Sequence, residues 1–314
     1  MKKYFFNFMV AITALLMLSV VSCKKSNSDN EADYTDEFKV QSDDHTFMSS
    51  QNDEVTADAN TALESDPTLA GRPMYTICGA TVATVSNANG RTVTITYNGN
   101  NCKNTRKRVG VVELSIAGTN KWKNAGTVLN VKYMNLKITR LANGVATKSL
   151  TINGTEMYTN TSGGKLVDVA LSNATVIHDI TSSGLTLTFD DGTQRSWEIS
   201  KRKQFTNAGG NVVITTTGTH SDGTNSDIAE WGTNRKGKVF TARIVEPIVM
   251  KQDCDFRIGS GKICYTKFVV PIYVTFGLNA TGTPTTCPGT GNTYYMKIDW
   301  TKLNGNAQSV ILPY

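Results

Sequence analysis

The chain reads as all-β: a large antiparallel meander, either a two-sheet sandwich or one strongly curled sheet, with one short N-terminal helix. Apolar and polar residues alternate with period two in segment after segment, the pattern of strands with one buried and one wet face. Gly-containing turns recur along the whole body. No interval between them is long enough for the crossover helices that a parallel sheet requires.

The helix is expected first. Val55, Ala59 and Leu63 stand four apart, acidic residues precede them and Pro67 follows, which predicts an amphipathic helix over about 50–64. The clearest strands follow as Val93, Ile95 and Tyr97 between threonines, then Leu185, Leu187 and Phe189 between threonines. Val270, Ile272, Val274, Phe276 and Leu278 continue the pattern, and Met296, Ile298 and Trp300 complete it. Between Leu129 and Ile138 the apolar parity slips, from Leu129, Val131 and Tyr133 to Met134, Leu136 and Ile138, which predicts a β-bulge near Tyr133. Asn143-Gly144, Ser183-Gly184, Asp191-Gly192, Gly209-Gly210, Asp222-Gly223, Lys236-Gly237 and Asn304-Gly305 supply turns.

Ahead of the helix lies an address. Lys2 and Lys3 precede an uncharged run from Tyr4 to Val21, which ends in Val20-Val21-Ser22-Cys23. A basic start, an apolar centre and a small residue before the cut describe a cleavable export signal rather than a spanning helix. The last four residues resemble a bacterial lipoprotein lipobox, which implies cleavage before Cys23 and lipid on its thiol. One acyl chain holds a protein poorly and two or more hold it stably. The expected organisation is therefore a signal peptide over 1–22, a flexible acidic tether over 23–43, helix and connector over 44–70, and a β domain over 71–314.

Charge is unevenly placed. From Asn27 to Asp66 there are twelve acidic residues against the single Lys39, whereas from Pro67 onward 27 Lys or Arg face 14 Asp or Glu. Such asymmetry signals partners of opposite sign or one part of the chain neutralising another. The basic residues Lys103, Arg106, Lys107 and Arg108, then Lys201-Arg202-Lys203, then Arg235, Lys236 and Lys238 lie in or beside expected turns, which favours a solvated basic rim facing an anionic lipid or glycan surface. Aromatic residues do not interleave with them, so nucleic acid is not an expected partner.

With Cys23 assigned to lipid, five cysteines remain on an oxidising side of the membrane. Counting outward from the turn Asn87-Ala88-Asn89-Gly90 sets Cys78 opposite residues 99–100, within reach of Cys102. Cys254 has two contenders, Cys264 across Gly259-Ser260-Gly261, and Cys287. One thiol stays unpaired or bonds between chains, and no spacing here suits a zinc site.

Chemistry is sparse. No nucleophile elbow accompanies His45, His178 or His220, and Gly259-Ser260-Gly261-Lys262 lacks the rest of a phosphate loop. No metal or cofactor is expected. Asp190, Asp191, Asp222, Asp227 and Glu230 could include the two carboxylates of a glycan-acting hydrolase, although Asp-Gly pairs are also what hairpin turns need. Trp231, beside Glu230 and Asn234, is the tryptophan best placed to stack on a ligand together with Asp222 and Glu230.

The stretch Phe189-Asp190-Asp191-Gly192-Thr193-Gln194-Arg195-Ser196-Trp197, with Arg202, Trp231-Gly232-Thr233-Asn234-Arg235-Lys236-Gly237-Lys238-Val239-Phe240 and Cys254, resembles a family of uncharacterised cell-envelope lipoproteins of the Bacteroidota. The resemblance implies a second cysteine where Cys287 stands, hence a Cys254–Cys287 bond, and it carries no catalytic activity. The expectation is a lipid-anchored envelope protein, in the outer membrane, with a non-catalytic binding or structural role. The alternative is a hydrolase using carboxylates at 190–191 and 222–230.

Overall fold

The structure, a computed structural model, describes residues 28–64, 76–254, 256–266, 270–286 and 293–314. The expected signal peptide, Cys23, most of the expected connector and Cys287 lie outside them. By packing, the chain divides after Val40: residues 41–314 form one compact unit, and the stretch up to Val40 belongs to another.

One long helix, α1 (Ser28–Glu64), precedes the strands. It contains neither Gly nor Pro across its 37 residues, which removes the strongest helix breakers. Its start corrects the expected organisation, since the segment assigned to a flexible tether is helical from Ser28 onward. The reason for the miss is physical. Periodicity detects an apolar stripe, and the face that α1 presents to its surroundings is built from carboxylates and amides as much as from hydrocarbon.

The body is a single antiparallel sheet of fourteen strands. In chain order these are β1 (Ala80–Asn87), β2 (Gly90–Asn100), β3 (Arg106–Ala117), β4 (Thr127–Ala142), β5 (Val145–Asn160), β6 (Val176–Phe189) and β7 (Gln194–Ala208). Then come β8 (Asn211–Gly218), β9 (Ile228–Thr233), β10 (Val239–Lys251), β11 (Ile258–Thr266), β12 (Ile272–Leu278), β13 (Tyr295–Thr301) and β14 (Ala307–Pro313). Each pairs with its neighbour in sequence, except that β8 and β9 share one place between β7 and β10. β8 fills the end beside Lys201–Ala208 of β7, and β9 fills the end beside Trp197–Ile199. A short helix, α2 (Leu166–Val169), sets Val169 into a small cluster with Val176 and Phe205.

The sheet is curled, not split into a sandwich. Residues 41–63 of α1 touch side chains from β2, β3, β4, β5, β7, β9, β11 and β13. Within that stretch only Ala57 is exposed. The concave face therefore closes round the helix.

Aligned bulges produce the bend. The registers of β3/β4, β4/β5 and β5/β6 each slip near Gly110, Asn135 and Gly154, and that of β6/β7 slips near Gly184. All four residues have positive φ. The slip at Asn135 is the bulge expected near Tyr133, and the Asn153 side-chain oxygen accepts its backbone N–H at 2.7 Å. Bulges stacked on neighbouring strands increase twist and curl a sheet.

The expected β1–β2 hairpin is present, with Asn87 opposite Gly90, and the Cys78–Cys102 disulfide closes its open end with the Cα atoms 5.2 Å apart. Cys254 is disulfide-bonded and Cys264 is a free, buried thiol, so Cys264 is not its partner.

At Gly154 a Cβ would lie 2.6 Å from the Gly184 carbonyl oxygen, at φ +118°. Gly154→Val is expected to cost about 1–3 kcal/mol through forced strain at this bend, read as a lower urea midpoint. An unchanged midpoint would show that the bend does not depend on this glycine.

Candidate functional site

The inward parity of β7 runs Trp197, Ile199, Lys201, Lys203 and Phe205, all five buried. Two lysines thus enter the interior in positions where alternation elsewhere puts hydrocarbon. Arg108 on β3 and Glu156 on β5 do the same. A buried charge must find a partner, and α1 supplies most of them.

At the centre stands Glu230 of β9, wholly buried. Its carboxylate accepts hydrogen bonds from the Lys201 ammonium and, at 2.6 Å, from the Trp197 indole N–H. His45 of α1 places Nε2 3.0 Å from the same carboxylate, while its Nδ1 meets the Tyr265 hydroxyl at 2.5 Å. Burial alone would push the Glu230 carboxyl up. His45 and Lys201, by charge and by hydrogen bond, more than offset it and hold it at about 2.

Asp44 of α1 is gripped from two sides. Arg235 holds it with Nε at 2.7 Å and Nη2 at 3.0 Å, the paired geometry in which guanidinium suits carboxylate, and Lys148 reaches it at 2.6 Å. Asp43 takes Arg140 at 2.9 Å and a second contact from Lys148. Further along, Glu54 pairs with Arg106, and Asp58 accepts from Arg108 at 2.6 Å and from the Tyr97 hydroxyl at 2.8 Å. Asp53 pairs with Lys203, and Asn60 accepts the Trp122 indole N–H at 2.7 Å.

Glu156 is the exception, a buried carboxyl ringed by neutral groups. The Tyr158 hydroxyl at 2.6 Å, the Asn52 amide at 2.6 and 2.7 Å and the Tyr133 hydroxyl at 3.1 Å all donate to it. Burial nevertheless prevails and pushes its carboxyl up. Between α1 and the sheet a cavity of about 30 Å³ is lined by His45, Ser49, Asp53, Lys201, Lys203 and Thr216 on its polar side.

The residues singled out from sequence are not brought together. Glu230 points inward and is enclosed. Trp231, next along β9, is half-buried and stacks on His220 with ring centroids 4.3 Å apart. Asp222 is exposed in the β8–β9 loop, where its carboxylate accepts the backbone N–H groups of Thr224 and Asn225 at 3.0 and 2.8 Å. Asp191 caps its own turn through Thr193, and Asp190 pairs with Arg235. Asp222 and Glu230 therefore do not face each other across an open cleft.

The basic clusters also differ from the expected solvated rim. Arg106, Arg108, Lys203 and Arg235 turn toward carboxylates of α1 and Lys201 toward Glu230 of β9, whereas Lys103 and Lys107 remain exposed. Of the two explanations for the charge asymmetry, neutralisation within the chain accounts for these five. His45, Asp53, Glu156 and Tyr265 were not singled out by chemistry. For Glu156 and Tyr265 the signal was a polar residue at inward strand parity, whereas His45 and Asp53 lie on α1, where no apolar pattern marks them.

No family model matches the chain, and searches of curated proteins and of solved structures find no match either.

His178 tests the dryness of this interior. It is buried between Trp122 and Phe205, and burial, aided by the Lys203 charge, lowers its imidazole from 6.5 to about 3. The folded state thus refuses a proton that the unfolded chain accepts, so this contribution is full above about pH 6.5 and shrinks as pH falls toward 3. Between pH 7 and pH 5 the site should remove about 2 kcal/mol of stability. His178→Leu is expected to flatten that slope in denaturant titrations, and parallel slopes for the two proteins would contradict this.

Proposed function

We propose that the protein is a lipid-anchored component of the cell envelope, held through Cys23, with a non-catalytic binding or structural role. The observation that carries the non-catalytic part is the occupancy of the interior. The carboxylates and cations around Glu230, Asp53 and Asp44 are already committed to one another, across the α1–sheet interface and between β7 and β9. Acid–base chemistry needs a group poised near the working pH, and Glu230 sits far below it.

The anchor rests on the export signal and the Val20-Val21-Ser22-Cys23 lipobox, and the likeness to Bacteroidota envelope lipoproteins agrees with it. Among the described residues no helix is long and apolar enough to cross a membrane. An anionic glycan or lipid surface is the partner that the remaining outer cations suit: Lys107, Lys132 and Lys137 are exposed on neighbouring strands β3 and β4.

One fractionation experiment tests both parts. Wild-type protein should incorporate labelled palmitate and sediment with membranes, and Cys23→Ala should do neither. The released variant should then bind vesicles containing anionic lipid at low salt and lose them as ionic strength rises. Equal labelling of wild type and variant would overturn the anchor. Salt-independent binding, or none, would overturn the anionic partner.

A further inference from the structure

The sheet has two edges, β1 and β14, each with a single neighbouring strand among the described residues. An edge strand presents a row of backbone donors and acceptors, and proteins guard such rows with charge, proline or bulges. β14 is guarded. The Tyr314 N–H donates to the Tyr294 carbonyl, so by alternation the odd-numbered residues of β14 turn to the open edge, and one of them is Pro313, which has no N–H.

β1 lacks every one of these devices. From Thr76 to Gly90 no residue is charged, β1 contains no proline, and its register with β2 runs from Ala80 to Asn87 without a bulge. All of β1 except Ala80 is exposed, including Val82 at 46% and Val85 at 64%. The Gly79 carbonyl accepts the Asn98 N–H, so the odd-numbered residues bond to β2, and Ala80, Val82, Thr84 and Ser86 turn their N–H and C=O groups to the open edge. The Cys78–Cys102 disulfide fixes the start of the strand. The edge is therefore held ready, and little order has to be gained when a partner arrives.

We propose that β1 pairs antiparallel with β1 of a second copy of this chain about a twofold axis, joining two sheets into one. The edge is complementary to itself. With Ala83 on the axis, Ala80 falls opposite Ser86 of the second copy and Val82 opposite its Thr84, so the outward N–H and C=O groups of these four residues all find partners and none is left over. The residue that must meet its own copy across the axis is alanine, whose small side chain leaves room for the approach. On one face Val85 meets Thr81 of the second copy. On the other, the face shared with Ile95, Val82 meets Thr84, so both exposed valines gain a β-branched neighbour. The chain carries a net charge of +6, which opposes contact between like patches, and β1 offers a stretch free of charge. Pairing of identical edges closes as a dimer. Pairing of β1 with β14 would run head to tail, and Pro313 stands against it.

This inference goes beyond the envelope role and does not depend on the anchor. Its test is sedimentation of the full chain carrying Cys23→Ala, which removes association through lipid, together with oxidation of cysteines placed on β1. The chain should sediment as a dimer. Val82→Lys, which sets a charge on the edge, and Thr84→Pro, which removes an outward N–H, should sediment as monomers with unchanged circular dichroism. Ala83 meets its copy at a non-hydrogen-bonded pair, where Cα atoms lie about 4.5 Å apart, so Ala83→Cys should form an intermolecular disulfide under mild oxidation. Val85→Cys, exposed but displaced from the axis, should not. A parent chain that is monomeric at every concentration would overturn the proposal, as would a dimer that persists in both Val82→Lys and Thr84→Pro, or cross-linking at Val85→Cys equal to that at Ala83→Cys.

Discussion

An acidic helix held inside a basic-lined sheet is the constraint on which the rest of this structure depends. Without α1 the concave face would expose or bury Arg106, Arg108 and Lys203 unpaired, and without the sheet Asp53, Glu54 and Asp58 would crowd like charge within little more than one turn of one helix. Neither part is a comfortable structure alone. Buried ion pairs add little net stability, because the desolvation they require offsets the attraction they gain, but removing one partner is strongly destabilising. The consequence is specificity more than strength. The helix carboxylates are spread over several strands, Glu54 and Asp58 on β3, Asp53 on β7, Asp43 on β4 and β5, and Asp44 on β5 and Arg235 after β9, so a shift of α1 along its axis would break several pairs at once.

Room for the helix comes from the backbone of the sheet. A flat meander of fourteen strands would have two faces and no interior. The aligned bulges at Gly110, Asn135, Gly154 and Gly184 turn β3 to β6 inward together. The shared place of β8 and β9 then interrupts the sheet beside Trp197 and brings Glu230 to the centre, where His45 and Lys201 meet it. Curvature and charge are thus one design, since the bend makes a cavity too polar for a hydrocarbon core and the helix fills it with matching groups.

Much of the sheet was legible in the chain. Val93, Ile95 and Tyr97 alternate and are all buried, the parity slip after Tyr133 is a bulge, and the Asn87–Gly90 turn with its disulfide stands where counting placed it. Period-two patterning reports a local fact, which face of a strand is dry, and local facts survive reading one residue at a time. The helix was legible only from about residue 50, because rules for helices look for hydrocarbon, and Asp44, His45 and Asn52 bury themselves through hydrogen bonds to residues about 100 to 220 positions away. The same distance hid the centre around Glu230. In sequence Glu230 neighbours Trp231 and Asp222, and in space it faces His45, Trp197 and Lys201.

The central claim is that residues 41–63 of α1 are an internal, charge-paired part of the body and not a solvated leader. Native-state hydrogen exchange measures this directly. The account predicts that the backbone amides of Phe47 to Leu63 exchange as slowly as those of the inner strands β4 to β7 and become labile together with them as denaturant is added. Exchange of the helix amides at rates near those of an unfolded chain, while the strands stay protected, would contradict it.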